Sequence, residues 1–207
     1  MYERFVFFDL GNVLVNFDHE IAVRQLAELT NRSPDVVRQV VFRSGLQDRY
    51  ETGLISCEQF AGIVLEQLQT QRSHQDILEA ISAIFEPNEA IEKVLRWLTS
   101  AGVPLGILSN TCKAHWDWLR HHNWPVLDGW FRHQVLSFEV NSMKPDDGIY
   151  ACCEQLAGCN EPHIFFMDDR VENVAAAVRR GWTARQFRHV DELTTQLVDW
   201  LASTEPR

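Results

Sequence analysis

A chain of 207 residues, 45% hydrophobic and 23% charged, is long enough to bury a full core as one domain, or as one domain carrying an insertion. A net charge of -10 excludes the basic footprint of a nucleic-acid-binding surface and serves solubility instead. No apolar run approaches membrane-spanning length, and the N-terminal MYERFVFFDL lacks an apolar segment with a cleavage site, so the expectation is a soluble, cytoplasmic protein without a membrane partner.

The apolar run Phe5-Val6-Phe7-Phe8 reads as a buried strand that delivers one carboxylate, Asp9, onto a tight turn, Leu10-Gly11-Asn12. Backbone N–H groups of such a turn can cradle an anion. Helical spacing follows, with Ala22, Val23, Leu26, Ala27 and Leu29 on one stripe. Ser33-Pro34-Asp35 is a helix start for the stripe Val36, Val37, Val40 and Val41, and Thr52-Gly53 breaks it. Ser56 with Gln59 forms a capping-box pattern ahead of Phe60, Ile63, Val64 and Leu68. Ser73 with Asp76 opens a helix carrying Ile77, Ile81, Ile84 and Phe85. Residues 16–86 thus read as about four short helices and no strand.

From residue 87 the rhythm changes. A helix with Ile91, Val94, Leu95 and Leu98 stops at Gly102, and a strand over 104–108 ends in Ser109-Asn110-Thr111. A helix with Trp116, Trp118 and Leu119, a third strand over 134–137 and a helix over 149–156 follow. The fourth strand, 163–167, runs into Asp168-Asp169; a helix over 171–180 stops at Gly181. A weak fifth strand covers 183–187, and Asp191 caps a last helix with Leu193, Leu197 and Leu201. Strand–helix alternation implies an α/β core with a parallel sheet and helices on both faces. The expected division is a core over 1–15 and 87–207, with 16–86 inserted as a helical cap.

In a parallel sheet the strand ends lie on one edge, where ligands bind. Asp9, Ser109-Asn110-Thr111, Met143-Lys144-Pro145 and Asp168-Asp169 would therefore meet. A carboxylate nucleophile can take a phosphoryl group as an aspartyl-phosphate. Mg²⁺ needs only one or two carboxylates besides substrate oxygens and water, and Asp9 with Asp169, helped by Asp168, provides them. Lys144 offers a fixed positive charge. Ser109 and the turn N–H groups can bond the transferring oxygens.

These motifs resemble the haloacid dehalogenase superfamily of hydrolases, in the group with a helical cap after the first strand. All four superfamily motifs occur in order across essentially the whole chain. The resemblance implies a Rossmann-like sheet of order 5-4-1-2-3, nucleophile Asp9 and phosphate binding by Ser109 and Lys144. Leu10, Gly11 and Asn110 join them at the substrate. It implies Mg²⁺ on Asp9, Asp169 and the Gly11 carbonyl, with Asp168 as a further acid at the metal. Asn173 sits where the family often has another polar residue. The stretches DLGNV, ETGLISCEQF, LSNT, MKPD-x-x-IY and FMDDRVENV are similar to a branch that includes a bacterial α-D-glucose-1-phosphate phosphatase.

One departure matters. Most phosphatases of the superfamily carry an acid two residues after the nucleophile, and here that position is Gly11. Three readings follow: an acidic leaving group such as an anomeric hydroxyl, a proton supplied by Glu51, His19 or His115, or poor phosphatase turnover. The expected activity is a Mg²⁺-dependent phosphatase for a small phosphorylated metabolite, with a monomer or homodimer as the acting species. A metal-free 2-haloacid dehalogenase using Asp9, and a non-catalytic binding protein, are the alternatives. Arg43, Arg49 and Tyr50 could face the site, with Phe17, Asp18 and His19 at the cap hinge. Trp116, Trp118, Trp124 and Trp130 could form a sugar platform or a dimer contact, or simply pack. The five cysteines are odd in number and lack C-x-x-C spacing, which excludes a disulfide framework or zinc site.

Overall fold

The computed structural model describes residues 4–159 and 161–203. In chain order it contains β1 (Phe5–Phe8), β2 (Val15–Phe17), α1 (His19–Thr30), α2 (Pro34–Arg38), α3 (Leu46–Glu51), α4 (Cys57–Leu68), α5 (His74–Ser82) and β3 (Phe85–Pro87). The second half runs α6 (Glu92–Ser100), β4 (Leu105–Ser109), α7 (Lys113–His121), β5 (Phe131–Leu136), α8 (Ser137–Val140), α9 (Asp147–Ala157), β6 (Ile164–Asp168), α10 (Val171–Arg179), β7 (Thr183–Gln186) and α11 (Val190–Ala202). A π-helical turn over Gln39–Arg43 continues α2. No helix among the described residues is long and apolar enough to cross a membrane.

Five strands form one parallel sheet in the order β5-β4-β1-β6-β7. The labels differ from the expected order because β2 and β3 form a separate ribbon. Among the sheet strands alone, the first is central, the second and third lie on one side, and the fourth and fifth on the other. All of β1 is buried, because both faces of the sheet are covered. Its alternation divides the core: Val6 and Phe8 pack with Ile91, Leu95, Leu119 and Leu197, while Phe5 and Phe7 pack with Ile149, Tyr150, Ala177 and Trp182.

The segment between β2 and β3 is entirely helical and has its own apolar cluster, with Leu26, Val37, Val41, Tyr50, Phe60, Val64, Leu68 and Ile77. The serine caps form as read: Ser33 caps α2, and Ser56–Gln59 and Ser73–Asp76 are complete capping boxes.

Several expectations need correction. The 16–86 stretch is not free of strand, since Val15–Phe17 pairs antiparallel with Phe85–Pro87. Three-residue strands carry too little periodicity to be read, and their partners lie some seventy residues apart. Asn88 ties the same neck, its N–H donating to Leu14 O (3.0 Å) and its amide to Val13 O (2.8 Å). Helix α5 ends at Ser82, leaving Ile84 and Phe85 outside it. The third sheet strand begins at Phe131, and Asp191 lies in the first turn of α11 rather than at its cap.

Candidate active site

The sheet's carboxyl edge gathers a buried charge cluster. Asp9 follows β1, and its backbone N–H continues the ladder to Met167 O at 3.0 Å. The chain then turns sharply: Leu14 and Val15 N–H both donate to Leu10 O, and Asn12 sits at φ 56°. Gly11 is closely covered by a neighbouring ring. A Cβ there would lie 2.6 Å from the Phe17 ring, which leans on it from β2.

Lys144 is 4% exposed, and its ammonium has three acceptors around it. It donates to Asp168 Oδ2 at 2.6 Å and Leu108 O at 3.0 Å, and pairs with Asp9 Oδ1 at 2.8 Å. Asn110 holds the Lys144 backbone, donating to its carbonyl (2.8 Å) while accepting from its N–H (2.7 Å). Asp168, fully buried, also accepts the Arg170 N–H at 2.9 Å and the Asn173 amide at 3.0 and 3.1 Å. Asp169 accepts from the Asn12 amide at 2.9 Å. Asp9 Oδ1 takes both the Leu10 N–H (2.7 Å) and Lys144, so neither contact uses Oδ2.

Burial pushes the Asp9 carboxyl up to about 8, against the opposing pull of Lys144 and with the help of Asp168. Burial alone would lower the Lys144 ammonium, but the Asp9 and Asp168 carboxylates hold it above its ordinary value. The cluster is therefore short of positive charge. Ligand oxygens of Asp9, Asp168 and Asp169 lie within 4.8 Å of one another, and Asn173 Oδ1 is buried beside them without a partner among the described residues. An all-oxygen set with excess negative charge fits a hard divalent cation.

A cavity of about 440 Å³ opens above this cluster. Asp9, Leu10, Gly11, Ser109, Asn110, Lys144 and Asp169 all line it. Asp168 does not; its carboxylate is turned to Lys144 beneath the floor. Of the three candidate proton donors, Glu51, His19 and His115 all reach the cavity. Burial pushes Glu51 up to about 7, partly countered by the Gln47 hydrogen bond, and pushes His115 down to about 3. Burial lowers His19 as well.

Other expected contributors fall elsewhere. Arg43 and Arg49 are exposed and do not line the cavity. Tyr50 is buried in the helical cluster, its hydroxyl on Cys57 Sγ (3.0 Å) and accepting the Ala114 N–H (3.2 Å). None of Trp116, Trp118, Trp124 and Trp130 lines the cavity; they pack against the main core, with Trp118 and Trp124 in edge contact at 5.7 Å. All five cysteines are free thiols. Thr111 and Met143, from the motifs expected to converge here, line the cavity, whereas sequence reasoning missed Phe42, Gln47, Asp48, Phe85 and Arg170 as lining residues. The spacing of Gln47 and Glu51 at i,i+4 was the available signal for that pair.

The haloacid dehalogenase-like hydrolase family matches residues 4–181. The chain belongs to that family. It is 29% identical over 126 residues to a (S)-2-haloacid dehalogenase of Pseudomonas putida, covering 58% of this chain and 54% of that protein. The match thus spans about half the length of the curated relative. A HAD family enzyme from Bacteroides thetaiotaomicron superposes with a TM-score of 0.83 at 22% identity, over 94% of this chain and 98% of its own. Its wild-type complex with magnesium and inorganic phosphate gives 0.81 at 23% identity, over 90% and 95%. A HAD-like family hydrolase from Porphyromonas gingivalis gives 0.81 at 21% identity, over 98% and 99%. At these identities the structural likeness establishes the shared α/β fold.

Proposed function

We propose that this hydrolase is a Mg²⁺-dependent phosphatase of a small phosphorylated metabolite, a sugar phosphate in the D-L-G-N-V branch, working through an aspartyl-phosphate on Asp9 in a reducing cytoplasm. Residues 16–86 act as its cap over a core of 1–15 and 87–207. The observation that carries this reading is charge: three clustered carboxylates face one fully engaged ammonium.

Asp9, Asp169 and the Gly11 carbonyl would hold Mg²⁺, which supplies the positive charge that a dianionic phosphoryl group requires. Asp168 serves the site by holding Lys144. Lys144 fixes Asp9 Oδ1, which directs Oδ2 at phosphorus. Ser109, with only a 3.3 Å contact to Asn110 O, has a hydroxyl to offer the transferring oxygens. The solved complex of the Bacteroides enzyme with magnesium and phosphate supports the same chemistry.

A second reading, metal-free 2-haloacid dehalogenation by Asp9, draws on the Pseudomonas relative. Against it, the cavity's other cation, Arg170, is paired with Glu172, which leaves a haloacid carboxylate poorly served. Phosphate release from a panel of sugar phosphates and p-nitrophenyl phosphate, with Mg²⁺ or EDTA, tests the proposal. The expected result is release only with Mg²⁺, strongest on a sugar 1-phosphate. No phosphate, with halide released from 2-chloropropionate in EDTA, would establish the dehalogenase. No turnover in either assay would leave a binding protein.

A further inference from the structure

We propose that Glu51, at the C-terminal end of α3, is the acid–base residue that gives a proton to the leaving-group oxygen and recovers one from the hydrolytic water. This rests on the phosphatase reading. The floor of the cavity has no room for a proton donor beside Asp9, because the Phe17 ring occupies the space over Gly11. The donor must then come from the walls.

The other ionisable wall and floor groups are unsuited. Lys144 has no free proton-bearing direction, with three acceptors around it. Asp9 and Asp169 belong to the nucleophile and cation positions. His115 is buried with Nε2 on Ile81 O at 3.1 Å, and its ring edge meets Phe85 at 5.2 Å. His19 lies between the Phe17 and Phe42 rings, at 4.9 and 5.0 Å, with no hydrogen bond among the described residues to orient either nitrogen. Asp48 is exposed.

Glu51 is held differently. Gln47 Nε2 donates to its Oε1 at 2.6 Å, and Oε2 has no partner among the described residues. An amide on one oxygen suits a carboxyl whose proton sits on the other. The helix end carrying it is fastened to the sheet edge. Ser137 Oγ donates to the Glu51 carbonyl at 2.6 Å and accepts the Thr111 N–H at 2.9 Å, two residues beyond Ser109. Asn141 donates to the Thr52 carbonyl at 3.1 Å, and Thr52 Oγ1 meets Met143 Sδ at 2.8 Å. Gly53, at φ +74°, lies so close to the Phe138 carbonyl that a Cβ would collide with it. Glu51 is therefore placed by the core, not by the free helical segment, which is the preorganisation that proton transfer needs.

In the first step, Asp9 Oδ2 forms a bond to phosphorus as the ester P–O bond breaks. The departing oxygen keeps the bonding pair and takes the Glu51 proton, leaving a carboxylate. In the second step, a water oxygen bonds to phosphorus and passes its proton to Glu51. The Asp9–phosphorus bond breaks, which returns Asp9 as a carboxylate and releases phosphate. The pH range is suited to this: burial and Asp48 hold Glu51 up near 7, while Gln47, Arg170 and Lys144 pull it down. The Cys112 thiol, also close, is kept neutral by burial.

The test compares kcat/KM, which reports the first step, for wild type and Glu51→Gln in Mg²⁺. The substrates are p-nitrophenyl phosphate and whichever primary-alcohol sugar phosphate of the panel turns over fastest. Glu51→Gln should lose about 10²-fold or more on the sugar phosphate. On p-nitrophenyl phosphate, whose leaving group departs without a proton, the loss should be at least tenfold smaller. The wild-type decline above about pH 7 on the sugar phosphate should vanish in the variant. In Gln47→Met, which keeps Glu51, that decline should move to higher pH. Equal losses on both esters, or an unmoved decline in Gln47→Met, would overturn the assignment. A wild type that releases phosphate from the sugar 1-phosphate alone would overturn this inference and leave the phosphatase reading standing; one inert on the whole panel would overturn both.

Discussion

The sheet edge and the helical segment bury polar groups in opposite ways. At the sheet edge Asp9, Lys144, Asp168 and Asn173 are all nearly or fully buried, and the charges among them are held by short, specific contacts. The helical segment packs an almost wholly apolar cluster and sends polar groups into the cavity from α3, through Gln47, Asp48 and Glu51, and from the start of α1, through His19. A buried ion cluster is costly to desolvate and tolerates little change, so the sheet edge is suited to invariant chemistry. A mainly apolar bundle tolerates repacking, and its cavity-facing residues can change with the substrate.

The sharpest way to break this division is Asp9→Asn. Turnover should fall by about 10³-fold or more while the fold persists. Phosphate release and circular dichroism check it, and a folded, active variant would remove the nucleophile from the sheet edge. Lys144→Met should cost about 3–5 kcal/mol, since it strands the Asp9 and Asp168 carboxylates. Urea unfolding reads that cost, and a near-neutral result would mean that both acids relax to their protonated forms.

Gly11→Ala should cost about 1–3 kcal/mol through its clash with Phe17, and Phe17→Leu should relieve most of it. A double-mutant cycle without coupling would show that the ring yields freely. The last effect concerns pH. His115 has a folded-state value near 3 against an ordinary 6.5, so the unfolded chain binds the extra proton between them. Stability from this group is full above about 6.5 and is lost as the pH falls toward 3. Relative to His115→Gln, wild type should lose at most about 1.4 kcal/mol per pH unit in that window. Parallel acid profiles for the two proteins would refute it.

Much of the sheet edge was legible because its signals are local. An apolar run ending in an acid, a hydroxyl triplet after the second sheet strand and an acid pair after the fourth need only a few residues to be read. The serine caps are local as well, and they form. The wall was less legible. Arg43 and Arg49 looked plausible on a helical face, yet Phe42 and Gln47 line the cavity instead. The π-helical turn over Gln39–Arg43 and the break at Gly45 interrupt the 3.6-residue phase, so no single helical count runs from α2 to α3. The tryptophan-rich stretch was equally ambiguous, because aromatic side chains serve packing and recognition alike.

The sequence by itself determined the strand and helix alternation and the acids and lysine that gather at the sheet's edge, because each depends on short-range chemistry. Tertiary structure decided which of those acids holds Lys144, what fills the space over Gly11, and which helix residues reach the cavity. Those outcomes rest on contacts between segments distant in the chain: Lys144 to Asp168, Phe17 against Gly11 across the turn, and Ser137 to Glu51. Such contacts join segments far apart in the chain, and no local pattern encodes them.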